Sequence, residues 1–214
     1  MQMFDLMIFD LDGTLVDSST DLIAAVNFTR HALDLPIMDD KEIIGLVGDG
    51  TDRLVERFIG LEHQHSFSEA LAIFIAYYEA HLLDNAALYS GVTDVLDFFS
   101  HKKKVIITNK RENMTRKITD AFSLTARFDD IIGMGSTPFR KPDVRILLPV
   151  LARFRIDPRQ AIIFGDGIAD LKLAKNAGIK SCAMLNGFTP REVLLALKPD
   201  FTCEHLRELK TMFC

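Results

Sequence analysis

Five short apolar runs, each stopped by polar or small residues, constrain this chain more than any other feature: Leu6 to Phe9, Val105 to Ile107, Ile131 to Ile132, Ala161 to Phe164 and Ser181 to Leu185. Runs this short and this uniformly apolar read as strands buried on both faces. Between the later ones lie stretches of helical period, Glu112 to Ala121, Arg145 to Phe154 and Ile168 to Ala177, the last halted by Gly178, where a left-handed backbone ends a helix. Strand alternating with helix specifies an α/β fold with a parallel sheet.

One interval breaks this rhythm. About 95 residues separate the first run from the second, where a crossover needs only a few dozen, so a segment is inserted there. Ser18 followed by Asp21 has the form of a capping box, and Leu22, Val26, Thr29 and Leu33 recur at helical spacing, so the insert opens with a helix. Thr51 to Phe58 and Phe67 to Leu83 continue the helical pattern. Residues 15–86 read as a helical subdomain, and residues 1–14 with 87–214 as the sheet domain.

Charge and composition narrow the class of partner. The chain has 214 residues, 48% of them apolar, and a formal net charge of −5. This balance disfavours nucleic acid as the main partner. The start, Met1-Gln2-Met3-Phe4-Asp5, lacks the basic segment of a secretory signal, and the most apolar window, Ala70 to Tyr78, is too short to span a bilayer. Cys182, Cys203 and Cys214 are odd in number and form no CxxC pair, which argues against a disulfide framework or a zinc site. A cytoplasmic protein with no membrane partner is expected.

In open parallel sheets ligands bind beyond the carboxyl ends of the strands, so polar residues that stop the apolar runs are the candidates for chemistry. The first run ends in Asp10-Leu11-Asp12-Gly13-Thr14, the second in Thr108-Asn109-Lys110, the fourth in Gly165-Asp166-Gly167 with Asp170 beyond it, and Lys141-Pro142 follows the third. Two carboxylates at alternate positions of a strand end share a side and favour a bound cation; the bland alternative is a capped turn. Asp166 and Asp170 would share a face of a helix that begins early, adding oxygen ligands suited to Mg²⁺. Thr108 and Asn109 offer a hydroxyl and an amide, the donors a phosphate requires. Lys141 is biased away from helical geometry by Pro142, which is placed to open the next helix. Each of these features alone also fits a turn, a cap or a solvated side chain.

Taken together and in chain order, these residues resemble the haloacid dehalogenase superfamily, and within it the phosphoglycolate phosphatase-like branch. The motifs matched are Asp10-Leu-Asp-Gly-Thr14, Thr108-Asn109, Lys141 and Gly165-Asp-Gly-Ile-Ala-Asp170, with further similarity at Tyr89-Ser-Gly-Val92, Arg140-Lys-Pro-Asp143, Ala177-Gly178 and Asn186-Gly-Phe188. Gly167 stands where the family frequently has serine, and Val144 where a second proline is common. The resemblance implies a Rossmann-like core and a helical cap of the C1 type, since only 33 positions separate Thr108 from Lys141.

The resemblance also implies roles. Asp10 would attack phosphorus to form an aspartyl-phosphate, and Asp12 would act as general acid and then base. Asp10, Asp166, Asp170 and the Asp12 carbonyl would hold Mg²⁺, and Thr108, Lys141 and the N–H groups of Leu11, Asp12 and Asn109 would hold the phosphoryl group. Gly48, Asp49, Arg53 and Lys110 are candidates for substrate selection; Arg53 could meet a substrate carboxylate or be an ordinary exposed helical arginine. His63 and His65 read as parts of a solvated loop. The expected activity is hydrolysis of a small phosphorylated metabolite, 2-phosphoglycolate foremost, by a monomer or homodimer. A phosphomutase like β-phosphoglucomutase, and a phospho-acceptor signalling or silent binding module, are the alternatives.

Overall fold

The computed structural model describes residues 4–213. The expectations placed on Met1-Gln2-Met3 and on Cys214 therefore lie outside the described residues. The chain runs β1 (Leu6–Phe9), β2 (Val16–Asp17), α1 (Ser19–Ala32), α2 (Asp40–Gly45), α3 (Thr51–Ile59), α4 (Phe67–Ala80), β3 (Ala87–Leu88) and α5 (Val92–Phe98). It continues through β4 (Lys103–Arg111), α6 (Glu112–Ala121), β5 (Asp130–Met134), α7 (Leu148–Phe154), β6 (Ala161–Gly165) and α8 (Ile168–Ala177). The last elements are β7 (Lys180–Met184), α9 (Arg191–Ala196), β8 (Phe201–Cys203) and α10 (Leu209–Met212).

Six strands form one sheet in the order β5-β4-β1-β6-β7-β8, and every neighbouring pair is parallel. The sheet is buried from both sides because alternate strand residues enter different cores. Leu6, Ile8, Val105, Ile107 and Ile163 pack with Val150 and Leu151 of α7 and Leu173 of α8. Met7, Phe9, Ile106, Ile162 and Phe164 pack on the opposite face with Val95 of α5 and Ile118 of α6. Each such buried aliphatic or aromatic side chain contributes roughly 1.5–3 kcal/mol against exposure. That double burial is why the strands read as unbroken apolar runs.

The chain steps from β1 through β4 to β5 on one side, then crosses to β6, β7 and β8 on the other. The reversal leaves a crevice beyond the carboxyl ends of β4, β1 and β6, where the polar residues that stop three of the runs are delivered.

Four helices, α1 to α4, occupy the long interval, and the short antiparallel pair β2–β3 brings the chain's exit and return side by side. Ser18 and Asp21 do not form the expected capping box: the Ser18 side chain makes no cap hydrogen bond. Its hydroxyl donates to Asp12 Oδ1 at 2.6 Å, while the buried Asp21 carboxylate accepts from the Asn85 and Ala86 N–H groups and the Asn85 amide at 2.9–3.1 Å. Tertiary partners at both ends of the insert have taken the two side chains that the local pattern assigns to a cap.

Pro142 does not open a helix either. Asp143 caps a 3-10 turn over Val144–Ile146, and α7 begins at Leu148 with a proline in its first turn, where the missing N–H costs nothing. By contrast α6 and α8 have the spans expected of them, and Gly178 ends α8 in the left-handed conformation. No helix among the described residues is long and apolar enough to cross a membrane.

Candidate active site

The β1 end supplies the first carboxylate. Asp10 follows the last strand residue, and its Oδ1 accepts the Leu11 N–H at 2.7 Å. The backbone then turns at Gly13, whose φ of +76° and contact with Asp166 both demand glycine: a Cβ there would lie 2.1 Å from Asp166 Oδ2. Thr14 follows, its hydroxyl donating to Asp166 Oδ1 at 2.8 Å and its Oγ1 accepting the Asp166 N–H at 3.2 Å. Thr14 thereby ties the β1 loop to the β6 loop. The motif around Asp10 contains this threonine, but its partner is far off in the chain and no local pattern names it.

Asp166 and Asp170 reach the site by a different route from helical spacing. Helix α8 starts at Ile168, so Asp166 lies in the loop before it and Asp170 in its first turn, where Asp170 Oδ2 accepts the Gly167 N–H at 3.0 Å. The remaining Asp166 oxygen accepts the Phe188 N–H at 2.8 Å. Gly187, next to it, allows that approach, since a Cβ there would stand 2.2 Å from Asp166.

Lys141 is the pivot of the charges. Its Nζ lies 2.8 Å from Asp10 Oδ1 and 2.6 Å from Asp170 Oδ1, and its side chain is only 1% exposed. Burial opposes its charge, yet Asp10 and Asp170 outweigh that and hold its pKa above the ordinary lysine value. Asn109 fixes the backbone here: its Oδ1 accepts the Lys141 N–H at 2.9 Å, and its Nδ2 donates to the Lys141 carbonyl at 3.1 Å and the Gly48 carbonyl at 3.0 Å. The Asn109 side chain is therefore committed to protein partners and is not a free phosphate donor, which corrects the expectation for that amide. Thr108 stands buried beside the cavity, its Oγ accepting the Lys110 N–H at 3.3 Å. These residues continue β4 beyond Ile107, where the register with β5 shifts.

Two carboxylates, Asp10 and Asp170, thus face one buried cation, with the buried Asp166 beside them. Asp166 has no cationic side chain among its partners in the described residues; burial first, then the charge of Asp10, pushes its pKa up to about 7. The same two causes raise Asp170 against the opposing pull of Lys141. No three metal-ligating side chains converge on one point among the described residues, because the carboxylates are drawn to Lys141, Thr14 and backbone N–H groups. Even so, the donors are all oxygen, two of them buried, with negative charge in excess. That set fits a hard divalent cation such as Mg²⁺ and not zinc.

The cavity above these groups encloses about 630 Å³, its open mouth included. Asp10, Asp12, Thr108, Asn109, Lys110 and Asp166 form its floor, and Leu22, Val47, Leu54, Phe74 and Tyr78 of the insert form its roof. Asp12 takes a cation of its own: Lys110 Nζ lies 3.1 Å from each of its oxygens and 2.6 Å from the Tyr78 hydroxyl.

The candidates for substrate selection divide. Gly48 and Lys110 line the cavity. Asp49 points to Arg57, and Arg53 pairs with Glu56 at 2.6 Å with half its side chain exposed, so neither side chain reaches the cavity. Arg53 thus has the setting of an exposed helical arginine, outside the cavity lining. His63 and His65 sit in the 3-10 segment Leu61–Ser66, away from the cavity.

Comparison with known proteins identifies the family. The family model described as haloacid dehalogenase-like hydrolase matches residues 7–184. Phosphoglycolate phosphatase 1 of Pseudomonas aeruginosa is 33% identical over 95% of this chain and 78% of its own length. The phosphoglycolate phosphatase of Chromobacterium violaceum is 34% identical over 94% and 92%. Among solved structures, a haloacid dehalogenase-like family hydrolase from Streptococcus pneumoniae superposes with a TM-score of 0.90 at 30% identity, covering 100% of both chains. A predicted phosphoglycolate phosphatase from Haemophilus somnus gives 0.91 at 25% identity, covering 98% of this chain and 97% of its own. With the motif residues gathered at one end of a parallel sheet, and relatives that are phosphatases matching nearly its whole length, this chain belongs to the haloacid dehalogenase-like hydrolase family.

Proposed function

We propose that this hydrolase is a Mg²⁺-dependent phosphoric monoester hydrolase that cleaves a small phosphorylated metabolite, 2-phosphoglycolate foremost, through an aspartyl-phosphate. The observation that carries the reading is the Lys141 bridge between Asp10 and Asp170 beside the buried Asp166. This places a partly accessible carboxylate within a pocket of controlled charge. The named activity of the curated relatives supports the substrate.

Asp10, Asp166, Asp170 and the Asp12 carbonyl would hold Mg²⁺, which when bound supplies the positive charge that lets a carboxylate approach a phosphate dianion. Asp10 lines the cavity and is the nucleophile; Lys141, hydrogen-bonded to it, fixes its oxygen and neutralises charge on the transferring group. Thr108 and the Leu11, Asp12 and Asn109 N–H groups hold that group in line. Asp12 protonates the leaving alkoxide and then takes a proton from the water that cleaves the aspartyl-phosphate. Residues 15–86 act as the cap: their apolar side chains roof the cavity and exclude water while the leaving group is seated. Lys110 lines the same cavity with its ammonium bound to Asp12 and the Tyr78 hydroxyl. The expected assembly is a monomer or a homodimer.

The test is a screen of phosphorylated metabolites with and without Mg²⁺, repeated on Asp10→Asn. Metal-dependent phosphate release, greatest with 2-phosphoglycolate and lost in the variant, is expected. Equal turnover by Asp10→Asn would refute the nucleophile, and a preference for uncharged leaving groups would refute the substrate.

A further inference from the structure

Helix α4 runs apolar from Ala70 to Tyr78 and then delivers one hydroxyl into the cavity wall. Tyr78 is 2% exposed and packs against Phe74 at 5.5 Å between ring centroids, an environment that would suit phenylalanine. A phenol buried in such surroundings needs a polar partner, and here it accepts from Lys110 Nζ at 2.6 Å. The Lys110 ammonium has three protons and three oxygens to receive them: both oxygens of Asp12 at 3.1 Å and the Tyr78 hydroxyl. Its side chain is 4% exposed, so no water shell competes. On the other side, Ser18 donates to Asp12 Oδ1. The Asp12 carboxylate is thus held by one residue from the base of the insert and, through Lys110, by another from its last helix.

We propose, on the basis of the phosphatase reading above, that Tyr78 and Lys110 are positioning residues for Asp12. The phenol of α4 orients the ammonium, the ammonium orients the carboxylate, and correct seating of the insert therefore aims the acid at the leaving oxygen. Other polar contacts join the insert and the sheet, among them Arg111 with Asp52 at 3.3 Å, Lys117 with Glu79 at 3.8 Å and the Asn109 amide with the Gly48 carbonyl at 3.0 Å, but none of these three reaches Asp12. The Tyr78–Lys110 contact is buried and ends on a group that moves a proton.

In the first step the ester P–O bond breaks with its electron pair on the leaving oxygen, the Asp10 Oδ–P bond forms, and the Asp12 proton passes to that oxygen. Misplacing Asp12 slows this step in proportion to how much the leaving oxygen needs the proton. Phenyl phosphate and 4-nitrophenyl phosphate are similar in shape and carry no carboxylate, but phenoxide is the much stronger base. The measurement is kcat/KM for both esters with Mg²⁺, in wild type, Tyr78→Phe and Lys110→Met. In Tyr78→Phe the value for phenyl phosphate should fall about tenfold and that for 4-nitrophenyl phosphate by less than about twofold; Lys110→Met should widen the gap further. The ratio within one variant does not depend on how much of it is folded, so partial unfolding cannot mimic the result. Equal losses for the two esters, or none, in both variants would overturn the positioning role. No phosphate release by wild type from 2-phosphoglycolate or from either ester would remove the phosphatase reading and this inference with it.

Discussion

Replacing Asp166 by asparagine should abolish activity and yet stabilise the metal-free protein at alkaline pH. The native Asp166 carboxyl has its pKa pushed from 3.8 up to about 7 by burial and by the charge of Asp10, whereas the unfolded chain restores the ordinary value. That difference of about three units, at 1.36 kcal/mol each, destabilises the native state by about 4 kcal/mol once both forms are ionised. The sign follows from proton binding: the native state binds the proton more tightly, so stability falls as pH rises from about 4 to about 7 and is lowest above that. An amide at this position keeps one oxygen for the Phe188 N–H, and the Thr14 hydroxyl can turn to accept from the new NH₂ group. Allowing about 2 kcal/mol for imperfect rebonding leaves a net gain of about 2 kcal/mol. For a chain of this size the corresponding rise in Tm is about 4–8 °C. Thermal unfolding of both proteins in chelator should show that gain at pH 8, shrinking as the pH falls, gone between about pH 5 and 6, and reversed near pH 4, where only the cost of imperfect rebonding remains. Mg²⁺ should raise the Tm of wild type and leave Asp166→Asn unmoved. A variant less stable than wild type at pH 8 without metal would refute the claim that uncompensated negative charge strains this site.

Other substitutions test separate parts of the account. Arg53→Ala should change the substrate ranking and kcat/KM by less than about twofold and stability by under about 1 kcal/mol, because it loses only an exposed pair with Glu56; a selective rise in KM for carboxylated substrates would return Arg53 to the site. Asp21→Ala should cost about 3 kcal/mol in urea denaturation, since three N–H donors at Asn85 and Ala86 lose their acceptor. A loss below about 1 kcal/mol would mean that this tie between the ends of the insert is unimportant. Gly13→Ala should lower stability by at least about 1–2 kcal/mol from its left-handed backbone alone. Its Cβ would also displace Asp166, so Mg²⁺ dependence of phosphate release should weaken, and an unaltered metal titration would contradict the close approach described.

Much of the fold was legible because the physics acting on it is local. The β1, β6 and β7 runs are apolar on both faces, and α6 and α8 have their periodic residues and stop signals in place. β2 and β3, with two residues each, and β8, with three, are too short to leave a periodic signal. Ser18 and Asp21 misled for a different reason: a capping box is a local bargain, and partners at Asp12 and Asn85 offer stronger ones. The motif residues were readable at the strand ends, but their partners were not. Tyr78 is hidden within an apolar helix, and only the fold brings it to Lys110. Likewise, nothing in the local string predicts that the Asn109 amide clamps the Lys141 backbone from both sides.

The central claim is that Asp10 captures phosphorus with help from a divalent cation, and acid quenching tests it most directly. Wild-type enzyme mixed with 2-phosphoglycolate and Mg²⁺, then quenched and digested, should yield a peptide carrying phosphate on Asp10, visible by mass spectrometry and absent when chelator replaces the metal. Phosphate found on another residue, or undiminished turnover in the Asp10→Asn variant, would contradict the account.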